Sequence, residues 1–159
     1  MSTIQASVTI QRPVEHVFRF YQDFRNLPRF LGDVMSIKPT GPGTAKWTIQ
    51  GPLGMRVHWT TRVTELRPNE LIRYQTLGIP GLSTVWEIRF SSGAHPEETK
   101  VREVMKTPFG RLTRGVLTLI GKPPAKEIAS NLHRLKELLE QGNVTDLSHS
   151  VRGKFDRHA

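Results

Sequence analysis

The stretch PPAKEIASNLHRLKELLEQG, residues 123–142, decides the fold of this chain. Its apolar residues fall on one stripe at helical spacing: Ile128, Leu132, Leu135 and Leu139. Charged residues fall elsewhere on the helical wheel: Lys126, Arg134, Lys136, Glu137 and Glu140. Pro123 and Pro124 suit a first helical turn, and Gly142 suits the left-handed position just past a helix. The pattern therefore predicts an amphipathic helix over Pro123–Gln141 whose apolar stripe packs on a sheet.

The sequence before this helix is predicted to form strands and turns, with two short helices near the start. Thr3–Gln11 alternates apolar and polar residues, as a half-buried strand does. Pro13 opens a first helix, and Asn26 is the expected cap of a second over Leu27–Leu31. Six further strands are separated by turns or polar loops: Val34–Pro39, Ala45–Gln50, Met55–Leu66, Leu71–Leu77, Thr84–Ser91 and Thr99–Lys106. After Gly142 the periodicity fails, so we expect one domain over residues 1–142 and a mobile basic tail over 143–159.

Length, charge and residue usage exclude several classes of protein. The chain has 159 residues, enough for one core without disulfides, and it has no cysteine. Its six histidines lack metal-binding spacing, so neither a metal site nor a cofactor is expected. There is no long apolar run and no signal-peptide pattern, which favours a cytoplasmic protein. The net charge of +9 is dispersed over every element, which favours a solvated basic surface over a nucleic-acid partner and leaves the oligomeric state open.

Several motifs follow one another in a fixed order along the chain. PVEHVF (residues 13–18) and YQDFRNLP (21–28) come first, RPNELIRYQT (67–76) follows Trp47 and Trp59, and TPFG (107–110) precedes NLHRLKELLEQG (131–142). Together they resemble the START/SRPBCC superfamily, in its polyketide cyclase/dehydrase and coenzyme Q-binding branch. The resemblance covers nearly everything before the tail. It implies an α+β helix-grip fold, in which a curved antiparallel sheet wraps around a long C-terminal helix, and a cavity between them for a hydrophobic or aromatic small molecule.

Strand alternation indicates which side chains would line that cavity, because every second residue faces the same side of a sheet. The inward candidates from the strands are Trp47, Ile49, Val57, Trp59, Thr61, Tyr74, Thr76, Trp86, Ile88, Phe90 and Met105. The helix adds Ile128 and Leu132, and the connection before it adds Leu117. The alternative interpretation is that these side chains fill a solid core.

One carboxyl group falls on the inward side. In Thr99–Lys106 the inward phase includes Glu103, whose burial would favour the protonated acid. Glu103 is therefore a candidate ligand contact and, with Tyr74, a candidate for moving a proton. A strand bulge that reverses the phase, or an ion pair with an arginine, are the structural alternatives. His58 and His133 are expected at the surface, and no nucleophile motif is present, so no other catalytic residue is indicated.

Two connections mix glycine or proline with apolar residues and are candidate gates over the cavity: Gly78–Leu82 and Phe109–Ile120. The second lies among Lys106, Arg111, Arg114 and Lys122 and is a candidate for transient contact with an anionic membrane.

The leading interpretation of the sequence is a binding or carrier protein for a lipid, quinone or aromatic polyketide-like molecule. A cyclase/dehydrase-type enzyme, in which Glu103 or Tyr74 moves a proton, is the first alternative. A basic module that binds a protein or RNA is the second.

Overall fold

The computed structural model describes residues 2–51, 54–77, 83–107 and 124–155. Seven strands within these ranges form one antiparallel sheet: β1 (Ser2–Ile10), β2 (Val34–Gly41), β3 (Thr44–Gln50), β4 (Arg56–Arg67), β5 (Leu71–Leu77), β6 (Val85–Ser92) and β7 (Thr99–Thr107). Their order across the sheet is β1-β7-β6-β5-β4-β3-β2. Strands β2 to β7 are therefore a meander, and β1 closes it by pairing with β7.

Helix α1 (Val14–Gln22) and a short 3₁₀ helix (Phe24–Arg29) connect β1 to β2, and helix α2 (Pro124–Gln141) packs against β1. Ile128, Leu132 and Leu135 of α2 join the same buried core as the inward residues of the sheet. This arrangement is the α+β helix-grip fold, which confirms the prediction. None of the helices in the described residues is long and apolar enough to cross a membrane.

The short helix before β2 begins earlier than predicted. Asp23 is its cap, because the Asp23 Oδ1 accepts a hydrogen bond from the Arg25 backbone N–H at 3.1 Å. Asn26 lies inside this helix, and its side chain donates to the Phe20 carbonyl at 3.0 Å. The prediction of Asn26 as the cap was wrong, since an aspartate three residues earlier already satisfies the first turn.

The polar side of α2 is less exposed than the helical wheel predicts. Arg134 is fully buried, and Glu137 is buried as well. The guanidinium of Arg134 donates to the carbonyls of Phe30 and Ser148, while the Glu137 carboxylate accepts the backbone N–H of Asp146 at 3.0 Å. These two residues are covered because the chain after α2 folds back across them.

Residues 143–155 lie against the loop between the 3₁₀ helix and β2. Lys154 donates to the carbonyls of Leu31 and Val34, and the Val151 N–H donates to the Gly32 carbonyl at 2.8 Å. The ring of Phe155 lies 5.3 Å from the Arg134 guanidinium carbon. The sequence did not indicate these contacts. The mobility of the tail stays a prediction, and residues 156–159 lie outside the described residues.

Candidate functional site

A cavity of about 300 Å³ lies between the concave face of the sheet and α2. Its walls come from the 3₁₀-to-β2 loop, from β2 to β7 and from the first turns of α2. The lining residues are Leu31, Asp33, Val34, Trp47, Ile49, Gly51, Met55, Val57, Trp59, Thr61, Tyr74, Trp86, Glu103, Glu127, Ile128 and Asn131. Most of these side chains are apolar or aromatic, which is the usual composition of a small-molecule pocket.

Three aromatic rings form a stack along one wall. Tyr74 lies between Trp47 and Trp86, with centroid distances of 5.8 and 6.2 Å and interplanar angles of 25° and 12°. Phe24 closes the side of the stack, with its ring edge-on to Tyr74 at 5.1 Å. Because β3, β5 and β6 each contribute one of the stacked rings, the alternation of three strands fixes this wall.

The polar end of Trp47 has a partner inside the wall. Its indole Nε1 donates to the Thr61 hydroxyl on β4 at 2.8 Å, and both residues are buried. Trp59 lies directly opposite Trp47 in the same strand pair. The hydrogen bond holds the indole plane in place, so the aromatic wall is preformed.

Glu103 places a carboxyl group on the same concave face of the sheet as the aromatic wall. The residue is 3% exposed, and no described residue is hydrogen-bonded or ion-paired to it. Burial raises the pKa of the Glu103 carboxyl to about 8, so the neutral acid predominates at pH 7. A neutral carboxylic acid donates one hydrogen bond, so Glu103 gives the cavity a buried donor positioned by β7, in addition to the hydroxyls of Thr61 and Tyr74.

Two buried tyrosine hydroxyls interact electrostatically with Glu103. Burial, followed by the charge of Glu103, raises the pKa of both Tyr21 and Tyr74 well above the ordinary value. The Tyr21 hydroxyl approaches that of Tyr74, yet it makes no hydrogen bond of ordinary geometry with any described residue. Tyr21 belongs to α1, for which the sequence predicted only a helix opened by Pro13. The buried hydroxyl of Tyr21 therefore adds a polar group that strand alternation could not reveal, since it comes from α1.

The cavity wall next to α2 is polar, and residues 143–155 contact the loop that forms part of it. Asn131 lines the cavity, and its Oδ1 accepts from the Gly32 backbone N–H at 2.9 Å and from Arg134 Nη2 at 2.6 Å. Asp33 and Glu127 also line this side of the cavity. The loop that carries Leu31 and Asp33 is thus held by α2 on one side and by residues 143–155 on the other.

Nine of the fifteen predicted ligand-binding residues line the cavity: Trp47, Ile49, Val57, Trp59, Thr61, Tyr74, Trp86, Glu103 and Ile128. Five others are buried in the structure but do not line it: Thr76, Ile88, Phe90, Met105 and Leu132. Phe90 packs instead on Phe18, at a centroid distance of 5.2 Å, and Thr76 accepts the Thr84 backbone N–H. Leu117 and the two candidate gates, Gly78–Leu82 and Phe109–Ile120, lie outside the described residues.

The remaining lining residues were not predicted. Leu31 and Asp33 come from the loop before β2, whose direction has no sequence period, and Val34 is the first residue of β2. Gly51 and Met55 flank a turn. Glu127 and Asn131 directly precede Ile128 and Leu132 of the apolar stripe of α2. A helical wheel places them beside that stripe, so the sequence could have indicated both as lining residues.

The two histidines with candidate chemistry are exposed. The Nδ1 of His58 lies 3.1 Å from the Thr48 hydroxyl, and that of His133 lies 3.0 Å from the Asp146 carboxylate. Neither contributes to the cavity lining. In the part of the chain that the structure describes, no group of three or more His, Cys, Asp or Glu residues could hold a metal ion.

Solved structures share this fold. A Deinococcus radiodurans protein is 22% identical, with a TM-score of 0.69, and the match covers 89% of this chain and 99% of that one. A Thermus thermophilus protein is 20% identical, with a TM-score of 0.66 and coverages of 86% and 95%. The Zhui aromatase/cyclase from Streptomyces sp. R1128 is 15% identical, with a TM-score of 0.66 and coverages of 91% and 99%. At these identities the likeness shows the fold alone.

A comparison with curated proteins finds no match. The model of the family described as polyketide cyclase / dehydrase and lipid transport matches residues 1–140, which include every strand that the structure describes and all but the last residue of α2. The match confirms the resemblance that the sequence motifs indicated, and the chain belongs to the polyketide cyclase/dehydrase and lipid transport family.

Proposed function

We propose that the cavity binds an uncharged, mainly apolar small molecule that carries a ring and one hydrogen-bond acceptor. The observation that carries this proposal is a cavity of about 300 Å³ with an aromatic wall and one buried carboxyl group. Apolar walls supply affinity through burial, and a few polar groups set orientation. The described arrangement has both parts.

The protonation state of Glu103 supports an uncharged ligand. Because its pKa is about 8, the carboxyl group is mostly a neutral donor at pH 7, suited to a carbonyl, quinone or phenol oxygen. An anionic ligand group in the same place would sit in an apolar cavity without a described cation among the lining residues. Burying such a charge without a partner costs several kcal/mol, on the order of the values for buried ions.

The size of the cavity favours a compact ligand. Small-molecule pockets range from about 300 to 1,000 Å³, so this one lies at the lower end. The stacked rings of Trp47, Tyr74 and Trp86 present flat faces and edges to a ligand ring. Among the classes predicted from the sequence, a quinone or an aromatic polyketide-like molecule therefore fits these walls better than a long-chain lipid.

The leading function within this proposal is binding or carriage of the ligand, in a protein that we continue to place in the cytoplasm. A cyclase/dehydrase activity is the second candidate, and one observation favours it. The charge of Glu103 contributes to the raised pKa of the Tyr21 and Tyr74 hydroxyls, so the three groups are coupled. The pKa of Glu103 itself, about 8, is near the working pH, which suits a general acid–base group. In that reaction Glu103 would protonate a substrate oxygen, with Tyr74 orienting it.

Fluorescence titration with the uncharged dye N-phenyl-1-naphthylamine tests ligand binding. We expect uptake by the wild type and at least tenfold weaker uptake by Ile128→Phe, which adds ring atoms to the α2 side of the cavity. Ile88→Val is the matched control, because Ile88 is fully buried but does not line the cavity. Equal affinities in wild type and Ile128→Phe would contradict the proposal.

Mass spectrometry separates a carrier from an enzyme. The freshly purified protein is weighed in its native state and then denatured and extracted with solvent. A discrete apolar compound released on denaturation supports carriage and supplies its chemical class. Turnover of a matching substrate that is lost in Glu103→Gln and kept in Glu97→Gln, an exposed loop substitution, supports the enzyme instead.

A further inference from the structure

The outer face of the sheet carries a second depression, distinct from the ligand cavity. It has a volume of about 430 Å³ and is lined by side chains of β2, β3 and β4: Ser36, Lys38, Lys46, Thr48, Arg56 and His58, with Met35 beside them. No carboxylate is among these lining residues. Lys38, Lys46 and Arg56 are exposed, and within the described residues they have no ion-pair or hydrogen-bond partner.

Strand register arranges these side chains in three parallel rows. Ser36 is opposite Thr48, and Thr48 is opposite His58, so hydroxyls and an imidazole form the middle row. Lys38 is directly opposite Lys46 in the next row on one side. Arg56, two residues before His58 on β4, lies in the third row, on the opposite side of the middle row from the lysines. Adjacent rows on one face are roughly 7 Å apart, a distance that lysine and arginine side chains span easily.

The pairing of Lys38 with Lys46 is unfavourable by itself. Side chains directly opposite in an antiparallel pair have Cβ atoms about 5 Å apart, and like charges at that distance repel. A bound anion between the rows would turn this repulsion into attraction. The middle row would then supply hydroxyl donors, and Arg56 a planar fork that matches tetrahedral oxyanions.

We propose that this depression, the β2–β4 basic site, binds a phosphate group. Three cations lie on two sides of a row of hydroxyls and an imidazole, and no acidic side chain is among the lining residues, an arrangement that suits a phosphate group. The Thr48 hydroxyl and His58 Nδ1 are 3.1 Å apart, so each fixes the direction of the other. This proposal does not depend on what the inner cavity binds.

A second basic depression on the same face does not have these features. It is lined in part by Arg67, Glu70, Arg89 and Arg102, so it contains a carboxylate. Arg67 and Arg89 already pair with Glu65 and Glu87, at 2.9 and 2.6 Å. A general excess of positive charge would favour both places equally, whereas of these two depressions only the β2–β4 site combines unpaired cations with a row of neighbouring hydroxyls and no lining carboxylate.

The phosphate group has two possible sources, a soluble phosphate compound or a lipid headgroup. Met35, 40% exposed, lines the site. Met55, 60% exposed, directly precedes Arg56 in the sequence and lines the inner cavity. A lipid headgroup at the site would bring these two apolar side chains, and one wall of the cavity, to the membrane surface.

The test compares two triple variants that each remove three positive charges. The site variant is Lys38→Gln, Lys46→Gln, Arg56→Gln; the control is Arg62→Gln, Lys100→Gln, Arg102→Gln, at exposed positions outside the site. One arm measures partition onto phosphatidylcholine vesicles in which one lipid in four is phosphatidic acid. The other follows amide chemical shifts during titration with inorganic phosphate and pyrophosphate.

For a headgroup we expect vesicle partition to fall on the order of 100-fold in the site variant and less than threefold in the control, since each basic residue at a membrane surface contributes about 1 kcal/mol. For a soluble compound we expect shifts at β2–β4 amides that saturate in the wild type and control and vanish in the site variant. Either result supports the site. Equal losses in both triple variants, or no binding of any probe, would overturn it.

Discussion

Trp47 and Thr61 are joined by a hydrogen bond of 2.8 Å between the indole Nε1 and the side-chain hydroxyl, across the β3–β4 pair. The bond fixes the indole that stacks on Tyr74, so it links the stability of the sheet to the shape of the cavity wall. Both residues are almost completely buried, which leaves the indole N–H no route to solvent.

Thr61→Val removes that acceptor while keeping the shape of the side chain. We expect the free energy of unfolding to fall by about 1–3 kcal/mol, because a buried donor is left without a partner. Urea unfolding measures the loss. Thr61→Ser keeps the hydroxyl and should lose less than Thr61→Val; a larger loss in Thr61→Ser would mean that packing of the methyl group, not the hydrogen bond, dominates.

Glu103 should make stability depend on pH in an unusual direction. The unfolded chain releases this proton near the ordinary pKa of 4.5, and the folded protein releases it near a pKa of 8. Between these values the folded state binds more protons, so the free energy of unfolding falls as pH rises from about 4.5 to 8. A difference of this size corresponds to at most roughly 5 kcal/mol.

Glu103→Gln removes this titration, since the amide is neutral throughout. We expect urea unfolding at pH 5 and pH 8 to differ less for Glu103→Gln than for the wild type. Glu97→Gln, in the exposed loop before β7, should behave as the wild type does. The same pH dependence in wild type and Glu103→Gln would show that Glu103 ionises normally.

Period-two alternation was enough to predict the sheet and the aromatic wall of the cavity, because each strand has one apolar face. Trp47, Trp59, Tyr74 and Trp86 point inward as that alternation requires. Alternation could not separate cavity from core, however. Ile88 and Phe90 share the inward phase, but they lie where α1 and the rest of the core fill the space, and only packing decides this.

The missed features depend on contacts between distant segments. Arg134 has the pattern of a solvent-facing helix residue, yet the carbonyls of Phe30, Asp146 and Ser148 bury it. Tyr21 interacts electrostatically with Glu103 although the two are about eighty residues apart in sequence. Periodicity within a single helix or strand does not predict such contacts.

On the outer face, Glu87 is a buried carboxylate among cations. Lys106 Nζ lies 2.7 Å and Arg89 Nη2 2.6 Å from its oxygens, and Arg73 Nε lies at 3.5 Å. Although burial acts in the opposite direction, the hydrogen bonds from Lys106 and Arg89 lower the pKa of Glu87 to about 2. The resulting stabilisation is present above the unfolded pKa of 4.5 and is lost as pH falls towards 2.

Glu87→Gln should therefore lower the free energy of unfolding by about 1–2 kcal/mol at pH 7, a value reduced by the partial exposure of the three cations. Urea unfolding at pH 7 and pH 2.5 measures it, and the difference from wild type should shrink at the lower pH. Glu65→Gln, which breaks ion pairs of a more exposed carboxylate, should cost less. A constant difference at both pH values would contradict the ion-pair explanation.

Gly32 is where the chain after α2 approaches the cavity loop most closely. A Cβ atom at this position would lie 2.2 Å from the His149 carbonyl oxygen and 2.7 Å from Arg134 Nη2. Gly32 also exchanges two hydrogen bonds, donating to Asn131 Oδ1 and accepting from the Val151 N–H. Only glycine allows this approach, so the residue couples the segment 143–155 to the loop that lines the cavity.

Gly32→Ala should displace residues 143–155, because the clash is with backbone and with a buried guanidinium that cannot move aside. We expect a loss of about 1–3 kcal/mol in the free energy of unfolding, the range for overpacking, and faster proteolysis within 143–155. Gly41→Ala is the control, since its new Cβ would meet only the Thr44 hydroxyl, at 3.1 Å. If the segment 143–155 is cleaved at the same rate in Gly32→Ala and wild type, the contact does not hold that segment in solution.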